Sequence, residues 1–172
     1  MDVNLIITDD FLANPDHVRE QVLKIPFDRT GGFPGVRSDG ADEEYQRYVQ
    51  QKITAIMGVK IDSWKMDSFS FQLCTEDVET WVHKDKDAQW AGVLYLTPNA
   101  PQEAGTGIFT ETKPGEFELQ DAIANKYNRL VLYRGDLLHR SLLSGFGNSI
   151  ETGRLTQVFF FDIEGDPGGG WE

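Results

Sequence analysis

After Gly58 the apolar runs of this chain become short, rich in aromatic and β-branched residues, and separated by Gly, Pro, Asn and Asp. Such runs are built as strands rather than helices. The pattern predicts strands near 67–74, 79–83, 90–97, 107–110, 129–133, 136–139 and 155–163. The earlier part reads differently. "NLIITDDFL" is a first strand, and "NPDHVREQVLKI" a short helix with Asn14 as N-cap, Pro15 in the first helical position and Val18, Val22 and Ile25 on one face. "ADEEYQRYVQQKITAIMG" places Tyr45, Val49, Ile53 and Ile56 at helical spacing, with Gly58 as the terminating residue. "TGGFPGVRSDG", between the helices, reads as loop. Two helices followed by about seven short strands predict helices packed against an antiparallel sandwich or barrel.

The chain has 172 residues, 40% of them hydrophobic. That suits one domain over residues 1–172: a helical part to about 60, a β core over about 61–163, and a flexible tail over 164–172 whose Trp171 could dock on a neighbouring surface. No apolar run approaches the ~18 residues of a membrane span, and the start has no basic flank or apolar core of a signal peptide. A cytoplasmic location is expected, and no membrane partner. Cys74 is the lone cysteine, which excludes an intrachain disulfide and a Cys-rich zinc site. The 28 acidic residues outnumber the 16 basic ones, for a net charge of −12. A surface of that sign repels phosphate backbones, so nucleic acid is not an expected partner, and neutral or basic substrates are favoured over phosphorylated ones.

The chain holds three histidines. In "WVHKDKD", His83 and Asp85 are two apart and would project to one side of an extended segment, the geometry of a two-ligand metal clip; Asp87 keeps the same parity and is the rival carboxylate. His139 lies in "YRGDLLHRSLL", flanked by apolar residues after a Gly135-Asp136 turn. By itself it reads as a buried histidine satisfied by a carbonyl, and His17 as a surface residue of the first helix. In "GRLTQVFFFD" a strand would put Arg154, Thr156, Val158 and Phe160 on one face and Leu155, Gln157, Phe159 and Phe161 on the other. An arginine facing an apolar interior should meet an anion. A guanidinium beside a hydroxyl suits a small carboxylate; the alternative is an ion pair with an acid elsewhere in the chain. "EAGTGIFT" is a tight turn feeding a strand, not a dinucleotide fingerprint. The acidic runs read as solvated faces.

These pieces occur in one order: "HKD" at 83–85, "GVLYLT" at 92–97, "GTGIF" at 105–109, "LVLYRGDLLHRS" at 130–141 and "GRLTQVFFF" at 153–161. Together they resemble the iron(II)- and 2-oxoglutarate-dependent oxygenases, in particular the prolyl-hydroxylase-like branch and its small bacterial and phage members. The resemblance spans roughly residues 67–162, and "DDFLANPDHVRE" and "FPGVRS" extend it toward the start. It implies a double-stranded β-helix, a cupin-like jelly roll that is mainly β with N-terminal helices. It also implies that His83, Asp85 and His139 are iron(II) ligands, a 2-His-1-carboxylate triad that leaves one face of the metal open. By the same resemblance, Arg154 pairs with the distal carboxylate of 2-oxoglutarate, with Thr156 and Tyr95 assisting. The implied activity is hydroxylation of an amino-acid side chain, free or peptidyl, with release of succinate and carbon dioxide and with ascorbate as a supporting reductant.

Two other readings use the same residues: a cupin-like domain that binds metal or a small carboxylate without oxygen chemistry, and a zinc hydrolase built on His83, Asp85 and His139. The hydrolase leaves Arg154 and Thr156 without a role. The substrate, a small molecule, peptide or protein, would be selected by loops at the barrel mouth, here "TGGFPGVRSDG", "EDVET" and "KDKDAQW". No feature of the sequence sets the oligomeric state.

Overall fold

The structure is a computed structural model that describes residues 2–165; the tail beyond Gly165, with Trp171, lies outside the described residues. β1 (Leu5–Thr8) leads into α1 (Pro15–Val22). The side chain of Asn14 accepts from the His17 amide at 3.2 Å, capping the helix start as its sequence predicts. β2 (Arg29–Gly31) and β3 (Phe33–Arg37) precede α2 (Glu43–Met57). α2 is capped by Asp42, which accepts from the Tyr45 amide at 2.9 Å, and ends at Gly58 in the left-handed conformation, φ 69°. The remaining elements are strands: β4 (Ile61–Trp64), β5 (Phe71–Cys74), β6 (Trp90–Tyr95), β7 (Thr106–Lys113), β8 (Glu116–Ile123), β9 (Leu130–Arg134), β10 (Leu138–Ser141) and β11 (Arg154–Ile163).

The strands form two antiparallel sheets. The larger runs β1-β9-β6-β11-β5-β3-β2, with β4 also paired to β11; the smaller is β10-β7-β8. Alternation along the central strands sorts their side chains between two interiors. Leu94, Leu130, Leu132, Leu155, Phe159 and Phe161 point outward against Val22, Val49 and Ile53 of the helices. Ala91, Tyr95, Val131 and Tyr133 point inward against Ile108 and Ile123 of the small sheet. Gln157 also faces the helices, fully buried, and is satisfied there: the Tyr45 hydroxyl donates to it at 2.8 Å and its amide donates to the Phe69 carbonyl at 3.0 Å. Two facing sheets with helices on the outer face make a double-stranded β-helix, the architecture the sequence predicts.

Several element boundaries differ from expectation. The segment read as loop at 30–40 carries β3, which lies between the terminal strand β2 and β5; its Val36 and Arg37 pair with Leu73 and Gln72 of β5. Its Gly and Pro disguise it locally, yet Pro34 falls where the β2–β3 register shifts, a bulge that tolerates proline, and a Cβ at Gly35 (φ 70°) would collide with the Leu73 carbonyl oxygen. The expected strand at 79–83 is reduced to one bridge, His83 with His139. β8 goes unpredicted because its residues are exposed apart from Ile123, so no apolar alternation marks it.

Candidate metal centre and anion pocket

Between the sheets opens a cavity of about 730 Å³. His83 and His139 meet at its edge, the first in the connection before β6, the second on β10. They exchange backbone hydrogen bonds at 3.0 and 2.9 Å, and their ring centroids are 4.4 Å apart. Each Nδ1 faces a backbone carbonyl, that of Trp81 at 2.9 Å and that of Leu137 at 2.8 Å. A carbonyl can only accept, so in the neutral form of both rings Nδ1 carries the proton and the lone pair lies on Nε2. Both Nε2 atoms turn to Asp85, at 3.6 Å from Oδ1 for His83 and 3.1 Å from Oδ2 for His139.

Asp85 is held by its backbone, whose N–H donates to the Gly135 carbonyl at 2.8 Å. Gly135 is required here. A Cβ at that position would run into the Ala88 carbonyl oxygen and come within 2.8 Å of that of Asp85, so only glycine lets the 85–88 turn rest on the β9–β10 connection. Asp87, the rival carboxylate, is exposed on the cavity rim and does not join the group.

One ligand atom each from His83, Asp85 and His139 lies within 4.8 Å of the others. Three electron-pair donors converging while the imidazole protons point away is an arrangement that could hold a metal ion. The two Nε2–Oδ separations approach the ~3 Å that adjacent ligands with bonds of about 2.1 Å would have. Two nitrogens and one carboxylate suit a first-row divalent ion. The residues present therefore fit the group.

Deeper in the cavity, Arg154 is 3% exposed. Its Nε and one terminal nitrogen reach the Ala104 and Gly105 carbonyls only at 3.4 Å each, and among the described residues no carboxylate lies within ion-pairing distance. Among the described residues, then, no internal acid makes it a structural ion pair. Thr156 stands on the same face of β11, 1% exposed, and both line the cavity. Tyr95 pairs with Thr156 across β6 but stays behind the wall: its hydroxyl is 2.6 Å from the Thr106 hydroxyl, which does line the cavity. Burial raises the phenol's pKa above its ordinary value, so it remains a neutral hydrogen-bonding group. His17 lies on α1, away from the cavity.

Sequence reasoning missed three residues of this cavity. Thr106 carries no signal beyond a glycine-rich turn. Tyr133, 4% exposed, sets its ring 4.5 Å from that of His139, and only its place in β9 near a histidine could have suggested it. Arg37, 7% exposed, was hidden in the segment read as loop.

Known proteins share this architecture. A prolyl hydroxylase from Trichoplax adhaerens, solved with a peptide fragment of the hypoxia inducible factor oxygen degradation domain, superposes with a TM-score of 0.58 and 16% identity over 92% of this chain and 84% of its own. A Pseudomonas putida prolyl-4-hydroxylase gives 0.51 and 16%, over 92% and 91%. A prolyl 4-hydroxylase from Phytophthora capsici gives 0.57 and 17%, covering 94% of this chain and 59% of that one. The chain thus has the fold of these prolyl hydroxylases. In sequence, residues 111–161 match a family of unknown function (DUF6445), a stretch that contains His139, Arg154 and Thr156 but not His83 or Asp85. No curated protein matches the sequence. No helix among the described residues is long and apolar enough to cross a membrane.

Proposed function

We propose that this protein is an iron(II)- and 2-oxoglutarate-dependent oxygenase that hydroxylates a C–H bond of an amino-acid side chain, free or within a peptide. One observation carries the reading: in a single cavity, two imidazoles and a carboxylate converge with their lone pairs inward, beside a buried arginine that meets no acid among the described residues. The first group suits a redox metal, the second a dicarboxylate. A metal site alone would not explain Arg154.

His83, Asp85 and His139 would hold iron(II). With dioxygen and 2-oxoglutarate, the bound metal supplies an oxidation in which R–H, dioxygen and 2-oxoglutarate become R–OH, succinate and carbon dioxide. The protein's own tasks are positioning and exclusion of water. The Trp81 and Leu137 carbonyls fix both imidazoles in the tautomer a metal requires. The Arg154 guanidinium donates to the distal carboxylate of 2-oxoglutarate, exchanging weak carbonyl contacts for charge-assisted ones, with the Thr156 hydroxyl as a further donor. The Tyr95–Thr106 hydroxyl pair holds Thr106 in orientation at the same end. Val93, Val158 and Phe160 keep the wall between the two groups apolar.

The test is an anaerobic titration of the purified protein with iron(II) and then 2-oxoglutarate, following the visible charge-transfer band of a chelated 2-oxo acid, with His139→Ala as control. A band that needs both components and is absent from the variant supports the oxygenase. Bound metal without a band would instead favour a jelly-roll binding domain.

A further inference from the structure

The oxygenase reading leaves Arg37 without a task. Its side chain is 9% exposed and lies on the cavity wall, with the guanidinium 4.0 Å above the Phe33 ring and 5.7 Å from that of Phe160. Nε donates to Gln72 Oε1 at 3.0 Å. Among the described residues its ion-pair partner is Asp67, 3.7 Å from one terminal nitrogen. Asp67, however, is already paired with Arg29 at 2.8 Å. Two guanidiniums therefore share one carboxylate, and the buried one has the longer contact.

A half-compensated guanidinium held out of water is costly unless a second anion arrives. Burial accordingly pulls its pKa below the ordinary arginine value, while Asp67 and Asp85 oppose the shift. Phe33 covers one face of the planar group, so its remaining donors are presented edge-on, the way a carboxylate is bound by a fork of two N–H groups. Gln72, whose amide is fixed by the Pro34 carbonyl at 2.8 Å, sets the orientation of that fork.

The position is separate from the 2-oxoglutarate end. Arg37 pairs with Gln72, Gln72 with Thr156 and Thr156 with Tyr95, one rung across four adjacent strands. Strands spaced about 4.8 Å apart put Arg37 roughly 10 Å from Thr156 along the sheet. The cavity thus holds two arginines, one at each side of the wall, and the rim adds Lys84, Lys86 and Arg140. The acidic surface favours neutral or basic substrates; the cavity's own charge argues the opposite.

We propose that Arg37, oriented by Gln72, is the anchor for a carboxylate of the primary substrate, so that the molecule hydroxylated is a carboxylic acid. The assignment of that ligand as substrate rests on the oxygenase reading. The carboxylate can belong to a small free acid or to an acidic side chain of a peptide.

The test follows the arginine Nε–Hε resonances by NMR in protein loaded with zinc(II), a diamagnetic substitute for iron, and 2-oxoglutarate. Resonances are assigned through bonds from the backbone. N-acetylglycine, a blocked peptide acetyl-Gly-Glu-Gly-amide and neutral N-acetylglycinamide are then titrated in large excess. A saturable shift of the Arg37 resonance with either carboxylate, and not with the amide, is expected; which acid binds more tightly tells the free acid from the peptide. In Arg37→Gln the carboxylate should bind at least about tenfold more weakly while 2-oxoglutarate still shifts Arg154. No saturable shift at Arg37, or an equal response to the neutral amide, overturns the anchor. Failure of 2-oxoglutarate to move the Arg154 resonance would sink the oxygenase reading instead, and the two results are read from different signals.

Discussion

His83 and His139 are joined by their backbones before any metal is considered: the amide of each donates to the carbonyl of the other, at 3.0 and 2.9 Å. The bridge ties the connection ahead of β6 to the small sheet, so both rings are placed by main-chain geometry. Replacing either ring should therefore remove a ligand without dismantling the fold. His139→Ala and Asp85→Ala are expected to lose more iron(II) affinity than the roughly 10–100-fold that loss of an outer partner costs. Asp87→Ala should bind as the unaltered protein does. Anaerobic equilibrium dialysis distinguishes the carboxylates, and a strong loss in Asp87→Ala alone would reverse their assignment.

Gly135 offers a way to disturb the centre without touching a ligand. A methyl group there meets the Ala88 and Asp85 carbonyl oxygens, so Gly135→Ala must push the 85–88 turn away from His139. Overpacking of this kind costs about 1–3 kcal/mol. Urea denaturation should show that loss together with weakened metal binding, and metal affinity equal to that of the unaltered protein would show that the turn is not what holds Asp85 in place.

Arg154→Ala is expected to weaken 2-oxoglutarate while leaving metal affinity intact, since the guanidinium does not touch the His-Asp-His group. Hydrogen bonds to a charged group contribute about 1.5–3 kcal/mol, which corresponds to roughly a ten- to hundredfold higher dissociation constant. Arg154→Lys keeps the charge but not the fork and should fall between the two. Calorimetric titration of 2-oxoglutarate into the zinc(II) protein would measure this.

Away from the cavity, Asp9 should make folding acid-sensitive. The side chains of Arg129 (2.6 Å) and Lys126 (3.1 Å) donate to it, which fastens the end of β1 to the connection before β9. The Arg129 hydrogen bond, partly opposed by burial, lowers its pKa from 3.8 to about 2. Because the folded value is depressed, the contribution is full above 3.8 and is lost as pH falls through about 2. For so accessible a pair the contribution is on the order of 1 kcal/mol or less. Urea midpoints of the parent and Asp9→Asn should differ at neutral pH and converge near pH 2; a difference that persists in acid would contradict the assignment.

The site was partly legible in the sequence. His83, Asp85 and His139 could be named because their order and flanking runs match a known pattern, and Arg154 with Thr156 because period-two alternation puts them on one face. Parity alone did not separate Asp85 from Asp87, since both share that of an extended segment, and Asp85 was chosen on the His-x-Asp pattern of the resemblance. In the structure Lys86 and Asp87 form a turn, and parity stops applying. Tyr95 was expected at the ligand but stands behind Thr106, because a strand pattern gives the side a residue faces and not how far it reaches.

By itself, then, the sequence determined what depends on neighbours along the chain: helix caps at Asn14 and Gly58, and the alternation that sends Leu155, Phe159 and Phe161 to the helices and Arg154, Thr156 and Val158 to the cavity. These follow from local backbone geometry, where the period of a strand or helix sets direction. Only the tertiary structure decided what depends on pairing between distant segments. The bridge between the histidines, the close approach at Gly135 and the rung from Arg37 to Tyr95 are matters of register. Register is settled by packing two sheets and two helices at once, and no local stretch of the chain contains it.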